Sequence, residues 1–212
     1  LPCYKTGIMY KSNYSSKLLD DAVEQFASLP GIGRKSALRL ALHLLRQPLE
    51  NVERFSESFI SLKSQIRYCP VCRMISDDGV CPYCSDSRRD RSIVCVVESL
   101  RDVISIENTG SYNGLYHILG GIIAPMDGVG PGDLAIAPLI ERIREHDIKE
   151  VVLALSTGME GETTSFYIYK QISSLPVKVT AIARGVGFGD DLEYTDELTL
   201  GRSIEARQIF KP

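Results

Sequence analysis

Apolar positions over the first seventy residues recur every three or four. Leu18, Leu19, Ala22, Val23 and Phe26 form one such stripe, with Ser15 or Ser16 before it as a helix-capping hydroxyl. The stripe stops at Leu29-Pro30-Gly31-Ile32-Gly33, and a second helix is predicted over about 34–46. A third is predicted over about 51–67, where Val52, Phe55, Phe59, Leu62 and Ile66 keep the helical step. Beyond residue 90 the pattern changes. Residues 92–97 are a nearly continuous apolar run, as in a strand at the centre of a parallel sheet. Helices are predicted over 100–107, 134–146 and 161–172, and further strands over 116–119, 150–155 and 177–183, with a turn at 127–133. This alternation gives a parallel sheet covered by helices. The fold class is α/β, with a helical N-terminal part. The stretch 1–13 has no clear periodicity.

Between the two parts stand Cys69-Pro70-Val71-Cys72 and Cys81-Pro82-Tyr83-Cys84. A CxxC turn presents two thiolates from one side, and two such turns complete the tetrahedron that zinc requires. No fifth ligand has suitable spacing, so the site is read as closed and structural, with Zn²⁺ held by Cys69, Cys72, Cys81 and Cys84. The competing readings are a disulfide pair or a redox motif. A redox CxxC comes once, after a strand in a βαβ setting, whereas this one comes twice in a short insert. A metal site here can fix the two parts in one orientation with little core of its own.

A 44% share of hydrophobic residues, with ten Pro and seventeen Gly, is ordinary for a globular chain. No apolar run approaches the ~20 residues of a membrane span, and no leader pattern opens the sequence. Cys3 and Cys95 are read as free thiols, which together with zinc points to a reducing cytoplasm. The net charge of −3 taken alone argues against nucleic acid. Its distribution does not. Residues 1–68 hold ten Lys and Arg against six Asp and Glu, whereas residues 69–212 hold fourteen against twenty-one. A polyanion is expected on the first part and basic protein partners on the second.

The apolar helix, LPGIG turn and second helix resemble the helix-hairpin-helix of DNA-repair proteins. Gly31 and Gly33 permit a tight turn that leaves amide N–H groups exposed at the next helix start, where a phosphate can sit. Arg34 and Lys35 stand at that end, and Arg39 follows Lys35 by one turn. Contacts to phosphate and sugar carry no sequence preference. The plainer alternative is a helical hairpin whose glycines only permit close packing. A P-loop is excluded, because Arg34 rather than Gly precedes Lys35. His43 is read as a packed or partly exposed helical residue, and His117 and His146 as non-ligands. Three short helices make a small core, so this part needs the knuckle or a second copy of itself. Arg88-Arg89-Asp90-Arg91 reads as a solvated link and Cys95 as a small core residue. Residues 185–189 lack a dinucleotide fingerprint and are read as a loop.

Val96-Val97-Glu98-Ser99 and Met159-Glu160-Gly161-Glu162 resemble the Toprim domain of topoisomerases and primases. That resemblance implies a glutamate ending the first strand and an Asp-x-Asp after a later one, together holding Mg²⁺. Here Ser156 and Gly158 stand where the two aspartates are expected. The scaffold is retained and its chemistry lost.

Hairpin, four-cysteine knuckle and degenerate Toprim, in that order, resemble the RecR family of bacterial recombination mediators. The likeness takes in the LPGIG turn, Arg67-Tyr68-Cys69, Gly128-Val129-Gly130-Pro131 and Asp191-Leu192-Glu193-Tyr194-Thr195-Asp196. It implies a non-enzymatic repair protein that works with RecO and in some settings RecF, helping RecA replace single-strand-binding protein at gaps. It also implies homo-oligomers, dimers or ring-like tetramers that surround DNA. The family's DNA-contacting lysine and arginine fall on Lys35 and Arg39, and its acidic partner-binding surface on Glu98, Glu160 and Glu162. The two last are expected on an exposed loop and helix start. The expected division is a hairpin region at 14–68, a finger at 69–84, a Toprim domain at 92–187 and an assembly segment at 188–212. Two other classes remain open: a magnesium-dependent phosphoryl-transfer enzyme, and a zinc-stabilised module that binds only protein.

Overall fold

A computed structural model of the chain describes residues 14–77, 79–187 and 189–207. Cys3 lies outside them. The chain divides into two compact units, Leu1–Gln65 and Ile66–Pro212.

The first unit is helical: α1 (Lys17–Ala27), α2 (Arg34–Leu45) and α3 (Leu49–Gln65). Ser16 caps α1 as its hydroxyl accepts the Leu19 amide at 3.4 Å. Val23 packs on Ala37 and Ala41, with Leu19, Phe26, Ile32 and Leu38 half-buried around them. Two alanines one turn apart on α2 let the α1 backbone come close. Helix α3 starts at Leu49, two residues before the predicted 51, because the Pro48 carbonyl takes the Asn51 and Val52 amides at 3.0 and 3.3 Å. None of its residues is buried. Phe55 and Phe59 pack edge to face on its surface, 41% and 57% exposed.

The second unit opens with a hairpin of β1 (Arg67–Tyr68) and β2 (Ile75–Ser76) and a single turn, α4 (Pro82–Ser85). The alternation then follows: β3 (Asp90–Val97), α5 (Leu100–Asn108), β4 (Gly114–Ile118), α6 (Ile136–Glu145), β5 (Glu150–Leu153), α7 (Met159–Ile172), β6 (Lys178–Ala181) and α8 (Glu197–Glu205). The four longer strands are parallel, in the order β4-β3-β5-β6. Successive side chains of β3 face opposite sides. Val94 and Val96 join Leu115, Val151 and Leu153 against Ile136, Leu139 and Ile143 of α6 and Ile168 and Ile172 of α7. Cys95 and Val97 join Tyr116, Ile118 and Val103 on the other side, and there the four knuckle cysteines and Met74 complete the core. The knuckle is thus one body with the sheet.

Residues 88–91 are not a solvated link. Asp90 and Arg91 already belong to β3. The Arg89 side chain is 11% exposed and pairs with Glu107 at 2.5 Å. It also donates to the Gly114 carbonyl at 2.9 Å and lies over the Tyr83 ring, 4.7 Å from its centroid. Burial works to raise the Glu107 carboxyl, but the hydrogen bonds from Arg89 and Tyr116 outweigh it and hold the group below its usual range. Through Tyr83 this cluster ties the second CxxC turn to α5.

Candidate functional site

In the first knuckle the chain turns back so that the Cys69 amide meets the Met74 carbonyl at 2.7 Å and the Arg73 amide meets the Cys69 carbonyl at 2.9 Å. Arg73 takes a left-handed φ of 67° to close it. In the second, Pro82 starts the turn and the Cys84 amide reaches the Cys81 carbonyl at 3.1 Å. All four thiols are buried, and their sulfurs lie within 4.8 Å of one another. Sulfurs on a zinc tetrahedron stand roughly 3.8 Å apart, from a Zn–S bond of about 2.3 Å. The donor set and its size fit zinc. Cys72 and Cys81 are 3.3 Å apart, and that contact pushes the Cys72 thiol up and the Cys81 thiol down, a pair that one divalent ion would hold as thiolates.

Three residues outside the knuckle bind it to the sheet. The edge strand β4 gives its Ile118 amide to the Cys72 carbonyl at 2.9 Å. Its Tyr116 carbonyl accepts Nη1 of Arg142 at 2.7 Å, and the same Nη1 lies 3.5 Å from the Val71 carbonyl. Arg142 is 6% exposed, although it is a charged residue of α6. The one sequence signal is its phase, three residues after the core residue Leu139. Arg91 donates to the Cys84 carbonyl at 3.3 Å from β3.

In the hairpin, the Ile32 amide closes on the Leu29 carbonyl at 3.1 Å around Pro30 and Gly31. Gly31 has φ +78°, as the third position of such a turn requires. Gly33 precedes α2 with no capping side chain, and among the described residues none occupies the space a Cβ there would enter. The first turn of α2 therefore presents its amides outward. Lys35 and Arg39 are exposed, without an ion pair among the described residues, and line a groove of about 340 Å³ with His43 and Arg46. Arg34 lies apart from them, its guanidinium 3.8 Å from Asp20 of α1.

At the C-terminal end of the sheet, Glu98 follows β3 directly. Its Oε1 accepts the amide of Ser156 at 2.5 Å. Gly158 caps α7, and Gly161 is buried against Ser156, whose carbonyl would clash with any Cβ at that position. Only glycine lets the helix approach the loop so closely. Glu160 is exposed. Glu162 is not the free carboxylate expected: Arg184 pairs with it directly, and Arg202 of α8 lies 3.7 Å away. The three glutamates therefore do not form one open acidic surface. These pairs were not visible in the sequence, because the two arginines lie twenty-two and forty residues further along the chain.

Residues 66–86 match the family model for the four-cysteine zinc finger domain of RecR, and residues 19–61 the one described as RecR, helix-hairpin-helix. Residues 92–183 match the Toprim domain and 185–208 RecR, C-terminal. A Recombination protein RecR of Bacteroides fragilis is 58% identical over 197 residues, covering 93% of this chain and 96% of the relative. One from Porphyromonas gingivalis is 56% identical over 197 residues, covering 93% and 95%. One from Cytophaga hutchinsonii is 50% identical over 200 residues, covering 94% and 98%. The chain belongs to the RecR family. With that membership, the four cysteines are the ligands of a structural zinc, the hairpin is a DNA-binding element and the role is in recombination and repair. The Toprim fold is a scaffold here, not a catalyst, in line with Ser156 and Gly158 in place of aspartates. No helix of the described residues is long and apolar enough to cross a membrane.

Proposed function

We propose that this RecR-family chain holds DNA without sequence preference, through phosphates bound at the start of α2. The observation that carries this is an uncapped helix start beside two exposed cations on the first two turns, Lys35 and Arg39, which pair with no carboxylate among the described residues. Arg34 supports the hairpin through Asp20 and adds positive charge nearby. The exposed apolar face of α3 favours assembly with further copies into dimers or a ring-like tetramer around DNA. In that assembly the chain acts in the cytoplasm with RecO, and in some settings RecF, so that RecA replaces single-strand-binding protein at gaps. The working division is a hairpin at 14–68, finger at 69–84, Toprim scaffold at 92–187 and assembly segment at 188–212. Among the acidic residues Glu160 is the contact for a basic partner, since Glu98 and Glu162 are engaged within the chain.

Titration against gapped DNA at several salt concentrations tests the DNA site. Lys35→Ala and Arg39→Ala should each weaken binding about equally on all sequences. On duplex, each should reduce the slope of log affinity against log salt by roughly 0.9. Unchanged affinity and slope in both variants, with assembly intact, would make the hairpin purely structural.

A further inference from the structure

Arg142 raises a problem that the protein chain alone does not solve. Its guanidinium is buried, and among the described residues no carboxylate pairs with it. Two carbonyls, of Tyr116 and Val71, receive its Nη1. Carbonyl dipoles solvate a cation without neutralising it, and a buried charge is tolerated only when it is paired. Lysine and arginine are almost never buried otherwise.

The environment of the side chain names the missing anion. Val71 lies between Cys69 and Cys72, and Cys84 lines the same cleft as Arg142, so the guanidinium stands against both knuckles. Burial disfavours its charge, and the cysteines oppose that effect, Cys84 most strongly, then Cys72 and Cys69. Four thiolates around one Zn²⁺ keep two net negative charges. Among the described residues the carboxylates lining that cleft are Asp90 and Asp147, both exposed and neither paired with Arg142, and Arg91 there adds positive charge.

We infer that Arg142 is the counter-charge of the zinc–tetrathiolate centre, fixed by α6, and that through it zinc occupancy and Toprim-domain stability are coupled. The guanidinium offsets the charge of the loaded centre, and the loaded centre in turn makes the burial of Arg142 favourable. Its role is positioning and electrostatic: it is not a ligand. Arg91 reaches the Cys84 carbonyl from an exposed position, where water screens it, and contributes little.

The test uses the full chain loaded with zinc, and follows metal release to a chelating dye in Arg142→Gln, Arg142→Lys and Arg91→Gln. Glutamine can still donate to a carbonyl but has no charge. Partners outside a metal's ligand shell are typically worth 10–100-fold in affinity. Arg142→Gln should therefore release zinc at least tenfold faster, and Arg142→Lys and Arg91→Gln within threefold of the parent. A second measurement separates charge from packing. With zinc bound, Arg142→Gln should melt below the parent; after zinc is stripped, it should melt at or above the stripped parent, because no buried charge is left unpaired. Equal loss of melting temperature with and without zinc, or unaltered zinc release in Arg142→Gln, would show a carbonyl-binding side chain and overturn the proposal. If Arg142→Gln does not fold, Arg142→Lys decides: tenfold faster release despite the retained charge overturns it, and release within threefold sustains it.

Discussion

The carboxylate of Glu98 and the amide of Ser156 meet at 2.5 Å, across the gap between the ends of β3 and β5. In a metal-dependent Toprim domain this is where a glutamate and an aspartate would share a cation. Here a peptide N–H takes that place. The hydrogen bond joins two parallel strand ends, so Glu98 acts as a brace between them.

Glu98→Ala should therefore lower stability without altering any metal response. A hydrogen bond to a charged group contributes on the order of 1.5–3 kcal/mol, and partial exposure brings this one down to about 1 kcal/mol. For a chain of this size that is a fall in Tm of about 2–4 °C. Melting curves of parent and variant in millimolar Mg²⁺ and in chelator check it. A rise in Tm with Mg²⁺ in the parent that disappears in Glu98→Ala would show a surviving cation site.

What was legible in the sequence was local. The two CxxC turns and the LPGIG turn are complete within a few residues, and their spacing carries their geometry. The N-terminal helices followed from their three-and-four spacing, and the central strand from its nearly continuous apolar run. Arg142, Arg89 and Glu162 were not legible, because each owes its role to residues far away along the chain. The Arg142–Val71 contact spans seventy-one positions and the Arg89–Gly114 bond twenty-five. A charge at such a place looks like surface until the fold brings its partner. Helix α3 was misplaced by two residues for a different reason: a proline carbonyl, not an apolar side chain, starts it.

His117 is wholly buried in β4, where its Nε2 donates to the Ala135 carbonyl at 2.8 Å. Burial pushes its pKa down from the ordinary 6.5 to about 4. Between those values the unfolded chain takes up a proton that the folded chain refuses. Stability is then full above pH 6.5 and falls as pH drops toward 4, at most by about 1.4 kcal/mol per unit. His117→Gln keeps a donor for Ala135 and removes the titration. Urea unfolding at pH 7 and 5.5, with zinc in excess for both proteins, should show the parent losing about 1 kcal/mol more than the variant. Parallel losses would mean that His117 is not responsible for the acid limb.

The apolar surface of α3 gives a prediction about assembly that zinc should not share. Phe59 is 57% exposed, with Ile60 at 66% and Leu62 at 55%. A surface of this kind is expected to be covered by another copy. Phe59→Asp should lower the mass in solution measured by light scattering. Its zinc content should stay as in the parent, since the cysteines belong to the other unit. A mass unaltered in Phe59→Asp and in Phe55→Asp would place the assembly contact elsewhere.

Glu160 and Glu162 stand two residues apart at the start of α7, yet charge reversal should affect them differently. Glu160 is exposed and pairs with nothing among the described residues, so Glu160→Lys should leave melting within about 1 °C, the usual outcome at an open surface position. It should also weaken binding of a basic partner, mostly through slower association and with a strong dependence on salt. In Glu162→Lys a third cation would face Arg184 and Arg202. Those pairs are partly exposed, so attraction lost and repulsion gained together cost about 1 kcal/mol, or about 2–4 °C in Tm. Residues 184–207 would be released from α7, which limited proteolysis would detect. Partner titration and melting on the two variants give the comparison. If Glu160→Lys binds the partner as the parent does while Glu162→Lys does not, the partner contact lies with Glu162 or the segment it holds, and Glu160 has no part in it.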